Sequence, residues 1–257
     1  MKRPFALLLL LFLSSPARAA RLADIRKSGV LRLATEGAFP PFNFYQGKEL
    51  SGFDVDLGNA VAAKMGLKPE WKTLPFDALL IGLDARQDRY DLVVASHGVT
   101  PERAKAVDFT APYYCTGAIL VARPGGPRTV KELDGKDVAS SVGTTYLAYL
   151  RKLPGGVKVR NSKSYPKDTD CFSNLMAGRV AVWVTDRFVA LKLQATQPSL
   201  QIGDMLFEER VAMAVGKGNA ELKFAVDEIL AELLKDGTYA RLSEKYFHHD
   251  IRCVSGK

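Results

Sequence analysis

The chemistry available to this chain sits in a few charged and small residues placed where strand-like runs end. In Ser96-His97-Gly98-Val99-Thr100-Pro101-Glu102-Arg103, Thr100 suits a helix N-cap, Pro101 the first helical position and Glu102 the positive helix end. Arg103 does not suit that end, because a cation in the first turn opposes the helix macrodipole. A bound anion would offset the conflict, and the planar guanidinium matches a carboxylate. The alternative is a surface pair with Glu102 or Asp108.

Val142-Gly143-Thr144-Thr145 lies at a second strand-to-helix turn. Glycine there lets the backbone approach a ligand, and free N–H groups at a helix start attract anions; an ordinary Thr cap is the alternative. At a third turn, Val184-Thr185-Asp186, the carboxylate could accept hydrogen bonds from an ammonium group or cap the helix that begins at Arg187. All three features stand at the carboxyl ends of strands, where open α/β sheets bind ligands. Together they provide a receptor for a carboxylate and one for an ammonium. Glu36-Gly37-Ala38-Phe39-Pro40-Pro41-Phe42 adds a carboxylate and aromatic surface backed by prolines, with Phe42 and Phe44 expected in the core.

The elements that must position these residues alternate along the chain. Strands are expected at 30–34, 69–74, 90–95, 118–122, 137–142, 157–159, 180–184 and 210–215. Helices are expected at 54–65, from Phe76 to near Arg86, after Thr100, and at 144–152, 168–177, 187–195, 220–234 and 239–247, with a helical turn at 130–133. This alternation predicts α/β layers around a mainly parallel sheet. No Gly/Ser linker interrupts it. Strand-like segments at 113–116 and 208–211 carry the chain through instead, which permits two lobes joined by paired strands.

The N-terminus reads as an address. Lys2 and Arg3 precede the apolar run Phe5–Leu13, and Ala17-Arg18-Ala19 places small residues where a signal peptidase reads them. The run is too short to cross a bilayer, so a signal peptide over 1–19, cleaved after Ala19, is expected. Its loss removes three cations, Lys2, Arg3 and Arg18, from the net charge of +8. The remaining basic residues are scattered among acids, without the Lys/Arg and aromatic stripe that tracks nucleic acid. With 47% apolar and 25% charged residues in 257, the composition is that of a globular protein. HExxH, CxxC, P-loop, GxGxxG and GxSxG motifs are all missing, so no metal, no cofactor and no catalytic residue is expected. His248 and His249 suit a helix C-terminus. Export permits a disulfide; of the three cysteines, Cys171 and Cys253 are expected to pair and Cys115 to stay free.

Read in order, ATEGAFPPFNF (34–44), GFDVDL (52–57), FDALLIGL (76–83), TPERAKAVDFTAPYY (100–114), GTT (143–145) and AGRVAVWVTD (177–186) resemble the family 3 solute-binding proteins of ABC transporters, which bind polar amino acids. The resemblance spans nearly the whole chain after the leader. It implies an α/β, two-lobe periplasmic binding protein fold (type II, Venus flytrap) with two hinge crossings. Residues 20–113 and 211–257 would form the first lobe and 114–210 the second. It implies that Arg103, with Thr144 and Thr145, holds an α-carboxylate and that Asp186 holds the α-ammonium. Ser96 and Gly98 would add polar contacts, Phe39 and Phe76 would sandwich the side chain, and Glu36 would face a side-chain cation, favouring a cationic or polar amino acid.

The implied protein is a periplasmic monomer that closes on its ligand and delivers it to a membrane permease. It is not an enzyme and does not bind nucleic acid. Gly98 departs from the Ser or Thr usual in the family, His97 replaces an apolar residue and could reach toward the pocket, and Ala181 stands where Asp is common. The competing readings are an enzyme on the same scaffold, resembling cyclohexadienyl (arogenate) dehydratases with Glu36 or His97 as general acid, and an extracellular sensor domain.

Overall fold

The computed structural model describes residues 22–83 and 89–253. The expected leader and the helix end near Arg86 fall outside them. In chain order the first elements are α1 (Leu22–Ser28), β1 (Val30–Thr35), β2 (Ala38–Phe39), β3 (Asn43–Gln46), β4 (Glu49–Ser51), α2 (Phe53–Lys64), β5 (Lys68–Thr73), α3 (Phe76–Leu79), β6 (Leu92–Gly98), α4 (Arg103–Ala106) and β7 (Val107–Ala122). Then come β8 (Asp137–Ser141), α5 (Thr145–Leu150), β9 (Asn161–Tyr165), α6 (Asp168–Met176), β10 (Val182–Asp186), α7 (Arg187–Thr196), β11 (Gln201–Gly216), α8 (Ala220–Lys235) and α9 (Thr238–Phe247).

Eight strands form one sheet in the order β5-β1-β6-β11-β7-β10-β8-β9. The outer pairs β5/β1/β6 and β10/β8/β9 are parallel. The pairs made by the two central strands are antiparallel. The sheet is therefore mixed, because β7 and β11 are long enough to serve both halves. Near Val107–Tyr114, β7 lies beside the part of β11 that pairs with β6; near Ala118–Ala122 it pairs with β10. The segments expected to carry the chain across pair with each other midway, Arg210 opposite Cys115 and Glu209 opposite Thr116.

The chain ends return to the first half. Leu222, Val226, Ile229, Leu230 and Leu233 of α8 recur at helical spacing and are buried. Rings from distant segments meet there: Phe42 stacks on Tyr114 at 4.9 Å, and Phe53 meets Phe247 edge-on at 5.3 Å. Such pairs add to the free energy of their burial. Lys245 Nζ bonds Asp56 Oδ2 at 2.7 Å, tying α9 to α2.

Three points differ from the expectations. The strand expected at 157–159 lies instead at Asn161–Tyr165, parallel to β8. Val157 and Val159 pack against the second half's core without joining a ladder, while Arg160 and Asn161 anchor the register on the carboxylate of Asp137. The hairpins of β2, β3 and β4 form a second, three-stranded sheet that no expectation covered. Third, the disulfide joins Cys115 to Cys253, not Cys171 to Cys253. Cys171, in α6, is fully buried among the larger group of core residues. The tail after α9 instead runs back along β7, where Cys115 N–H meets the carbonyl of Ile251.

Candidate functional site

A cavity lies between the two halves of the sheet, at the carboxyl ends of β1, β6 and β8. It holds about 400 Å³ of empty space, part of it open to solvent. Its first wall carries Glu36, Phe39, Phe76, Ser96, Gly98 and Arg103. Ser141, Thr144, Thr145, Tyr146 and Asp168 line the opposite wall, and Glu209 of β11 closes the side between them.

Thr100 caps the turn that carries Arg103, its Oγ1 accepting from Arg103 N–H at 3.1 Å. The guanidinium is not spent on a surface pair: Glu102 pairs with Lys105 and Asp108 with Lys217. Arg103 Nη1 donates to the carbonyl of Gly98 at 2.7 Å, and Nη2 donates to the carbonyl of Gly143 at 2.9 Å, across the cavity. Its carbon lies 5.6 Å from the Phe76 ring centre, within the range of a cation–π contact. Burial lowers its affinity for a proton, and the nearby carboxylate of Glu209 opposes that shift.

Two buried carboxylates hold the serines of the two walls in matching ways. Asp54, at the start of α2, accepts from Ser96 Oγ (2.9 Å), Asn43 Nδ2 (2.8 Å) and Tyr113 Oη (2.7 Å). Tyr113 Oη in turn accepts from the backbone N–H of Ser96, which has a positive φ of 54°. In the other half Asp168, at the start of α6, accepts from Ser141 Oγ (3.1 Å), Trp183 Nε1 (3.0 Å) and Thr185 Oγ1 (2.8 Å). Burial raises each carboxyl to about 6 against these bonds. Glu36 is pushed further, to about 8, by burial first and then by the charge of Asp168. The cavity thus holds an acidic pair whose second charge is costly.

Residues 31–249 match the bacterial extracellular solute-binding proteins, family 3. The chain belongs to this family. It is 34% identical over 237 residues to the L-cystine-binding protein TcyJ of Escherichia coli (strain K12), covering 90% of this chain and 87% of that one. An ancestral arginine-binding protein solved with arginine superposes with a TM-score of 0.78 at 37% identity, over 85% of this chain and 98% of the other. The ancestral amino acid-binding protein AncCDT-1, a precursor of cyclohexadienyl dehydratase, superposes with a TM-score of 0.80 at 29% identity, over 88% and 98% of the two chains.

Eight of the nine residues expected at the site of this family 3 member line the cavity: Glu36, Phe39, Phe76, Ser96, Gly98, Arg103, Thr144 and Thr145. Asp186 is not on the wall. It is fully buried, and its Oδ1 caps α7 by accepting from Phe188 N–H at 2.6 Å. Its Oδ2 has no hydrogen-bond partner among the described residues, and burial raises the carboxyl to about 7. Thr144 also caps its helix, accepting from Leu147 N–H at 3.2 Å. His97 does not reach the cavity; it stacks on Phe76 with centroids 4.2 Å apart. Burial, aided by the Arg103 charge, holds it well below its ordinary pKa, so it is a neutral ring behind the aromatic wall.

Ser141, Tyr146, Asp168 and Glu209 were not anticipated as wall residues. Asp168 follows a Lys-rich turn and reads as an ordinary first-turn acid. Glu209 sits within a strand, where nothing local distinguishes an inward carboxylate from a solvated one. Among the described residues, no group of three or more His, Cys, Asp or Glu is placed to hold a metal, and no helix is long and apolar enough to cross a membrane.

Proposed function

We propose that this chain is the solute-binding component of an amino-acid ABC importer and that its ligand is a cationic α-amino acid. The observation that carries the reading is the charge layout of the cavity. One guanidinium, Arg103, shares the cavity with the carboxylates of Glu36 and Asp168, and burial, then the charge of Asp168, raises Glu36 to about 8. A ligand with one carboxylate and two cationic groups complements this set. In this reading Arg103, Thr144 and Thr145 take the α-carboxylate, and Asp186, buried behind the wall with its Oδ2 unpartnered, takes the α-ammonium once the opening of the lobes uncovers it. Phe39 and Phe76 flank the side chain, and its cation meets Glu36 and Asp168.

Charge-assisted hydrogen bonds contribute about 1.5–3 kcal/mol each, enough in this number to offset association and closure costs at micromolar affinity. Binding works by hinge closure. Of the described residues, those up to 113 and those from 211 onward form one lobe and 114–210 the other, with β7 and β11 as the crossings. A ligand touching both walls stabilises the closed arrangement over the open one. The closed protein, a monomer in the periplasm after cleavage behind Ala19, then docks on the membrane permease.

The test is a thermal-shift panel of the common L-amino acids and ornithine on the purified protein. Arginine, lysine or ornithine at 100 times Kd should add about 2.7 kcal/mol of stability. A shift from acidic or neutral amino acids alone would overturn the cationic assignment.

A further inference from the structure

Gly98 and Glu209 fill one another's space. A Cβ built on Gly98 would stand 2.1 Å from Glu209 Oε2 and 2.8 Å from its Cδ. The two positions lie on neighbouring strands, since Gly98 ends β6 and pairs with Val211 of β11, two residues beyond Glu209. Any side chain at position 98 would push the Glu209 carboxylate out. With glycine there, the carboxylate folds in and accepts from Thr145 Oγ1 at 2.9 Å. It also lies within electrostatic reach of the Arg103 guanidinium and of the Asp186 carboxylate.

Those partners are the groups that the reading above reserves for the ligand. Thr145 and Arg103 are its carboxylate receptor, and Asp186 is its ammonium receptor. We infer that Glu209 is a tethered occupant of the carboxylate receptor: its side-chain carboxylate holds Thr145 and faces Arg103 until a free α-carboxylate displaces it. A carboxylate on the chain needs no association entropy to sit there, so it competes at high effective concentration. It therefore lowers affinity for every α-amino acid. It disfavours acidic ones most, because the displaced Glu209 stays in the cleft as a third anion beside Glu36 and Asp168. The inference rests on the amino-acid reading.

Calorimetric titration with L-arginine of the wild type, Glu209→Gln and Glu209→Ala tests it. Removing the competing charge should tighten arginine binding at least about tenfold in Glu209→Ala and by a smaller factor in Glu209→Gln, which keeps the shape and the Thr145 contact. Thermal melts of the ligand-free proteins establish that both variants fold, and Glu209→Gln serves if Glu209→Ala does not. Unchanged affinity would overturn the inference, and so would weaker binding, which would mean that Glu209 grips the ligand's ammonium. If the variants bind arginine and the wild type does not, the inference stands in its strongest form. If neither binds any common amino acid, the amino-acid reading fails together with it, whereas wild-type binding with unaltered variants removes this inference alone.

Discussion

The guanidinium of Arg103 reaches across the cleft to the carbonyl of Gly143, 2.9 Å away, so the two halves of the sheet are latched by a side chain and a backbone oxygen. Gly143 can come that close for two reasons. Its φ is +76°, and a Cβ there would stand 2.8 Å from Asp77 Cβ. Gly143→Ala should therefore hold the walls apart. The positive φ costs about 1–2 kcal/mol for a residue with a Cβ, and ligand affinity should fall at least about tenfold in calorimetry. Affinity equal to wild type would show that the closed approach at this point is dispensable.

Arg103 contributes more than a charge. Its fork spans Gly98 and Gly143 while leaving donors for a ligand. Arg103→Ala should weaken amino-acid binding at least ~100-fold, about 2.7 kcal/mol. Arg103→Lys should recover little of this, because an ammonium offers no planar fork. The titration series on both variants checks the two statements together.

Glu36 makes binding depend on pH. Its carboxyl is raised to about 8 in the ligand-free protein, so it is mostly protonated at pH 7, and a cation binds the ionised form better. Affinity for arginine should rise from pH 6 to about pH 8 and level off above. Stability without ligand runs the other way. An acid whose folded pKa lies above its unfolded value contributes stability at low pH, and that contribution is lost as pH rises through the folded pKa. Glu36→Gln should weaken both trends, leaving the part carried by Asp54, Asp168 and Asp186 at lower pH, and should raise the ligand-free melting temperature at pH 9 relative to wild type. A pH-independent affinity in the wild type would contradict this placement of Glu36.

The Cys115–Cys253 bond closes a span of 138 residues, tying the tail to the first crossing strand. Cys253→Ser should cost about 2–4 kcal/mol of unfolding free energy, read by denaturant titration. Alkylation of the native wild type should label no cysteine, because Cys171 is fully buried, and should label one after unfolding without reductant. Three labels after unfolding would mean that the bridge is not formed.

Much of the site was legible because its residues sit at strand ends with local signatures. Arg103 conflicts with its own helix turn, and Gly143 precedes a Thr cap. Glu36 follows the first strand beside Phe39 and two prolines. Asp186 shows the limit of that reading. A capping acid and a ligand-binding acid look alike in sequence, and here the capping bond is made while one oxygen stays unpartnered. His97 was ambiguous for a similar reason: whether a histidine after a buried strand turns into the cleft or packs behind it depends on Phe76, a residue 21 positions earlier.

By itself the sequence determined the alternating elements, the strand-end location of the recognition residues and the long helices that cover the sheet, because periodicity and capping are local. Only the tertiary structure decided which cysteines pair, that β7 and β11 turn the centre of the sheet antiparallel, and that Asp168 and Glu209 join the wall. Each of these depends on segments far apart in the chain, Cys115 with Cys253 and Gly98 with Glu209. No periodicity records such a meeting, since it is set by where two strands cross and by the room a missing side chain leaves.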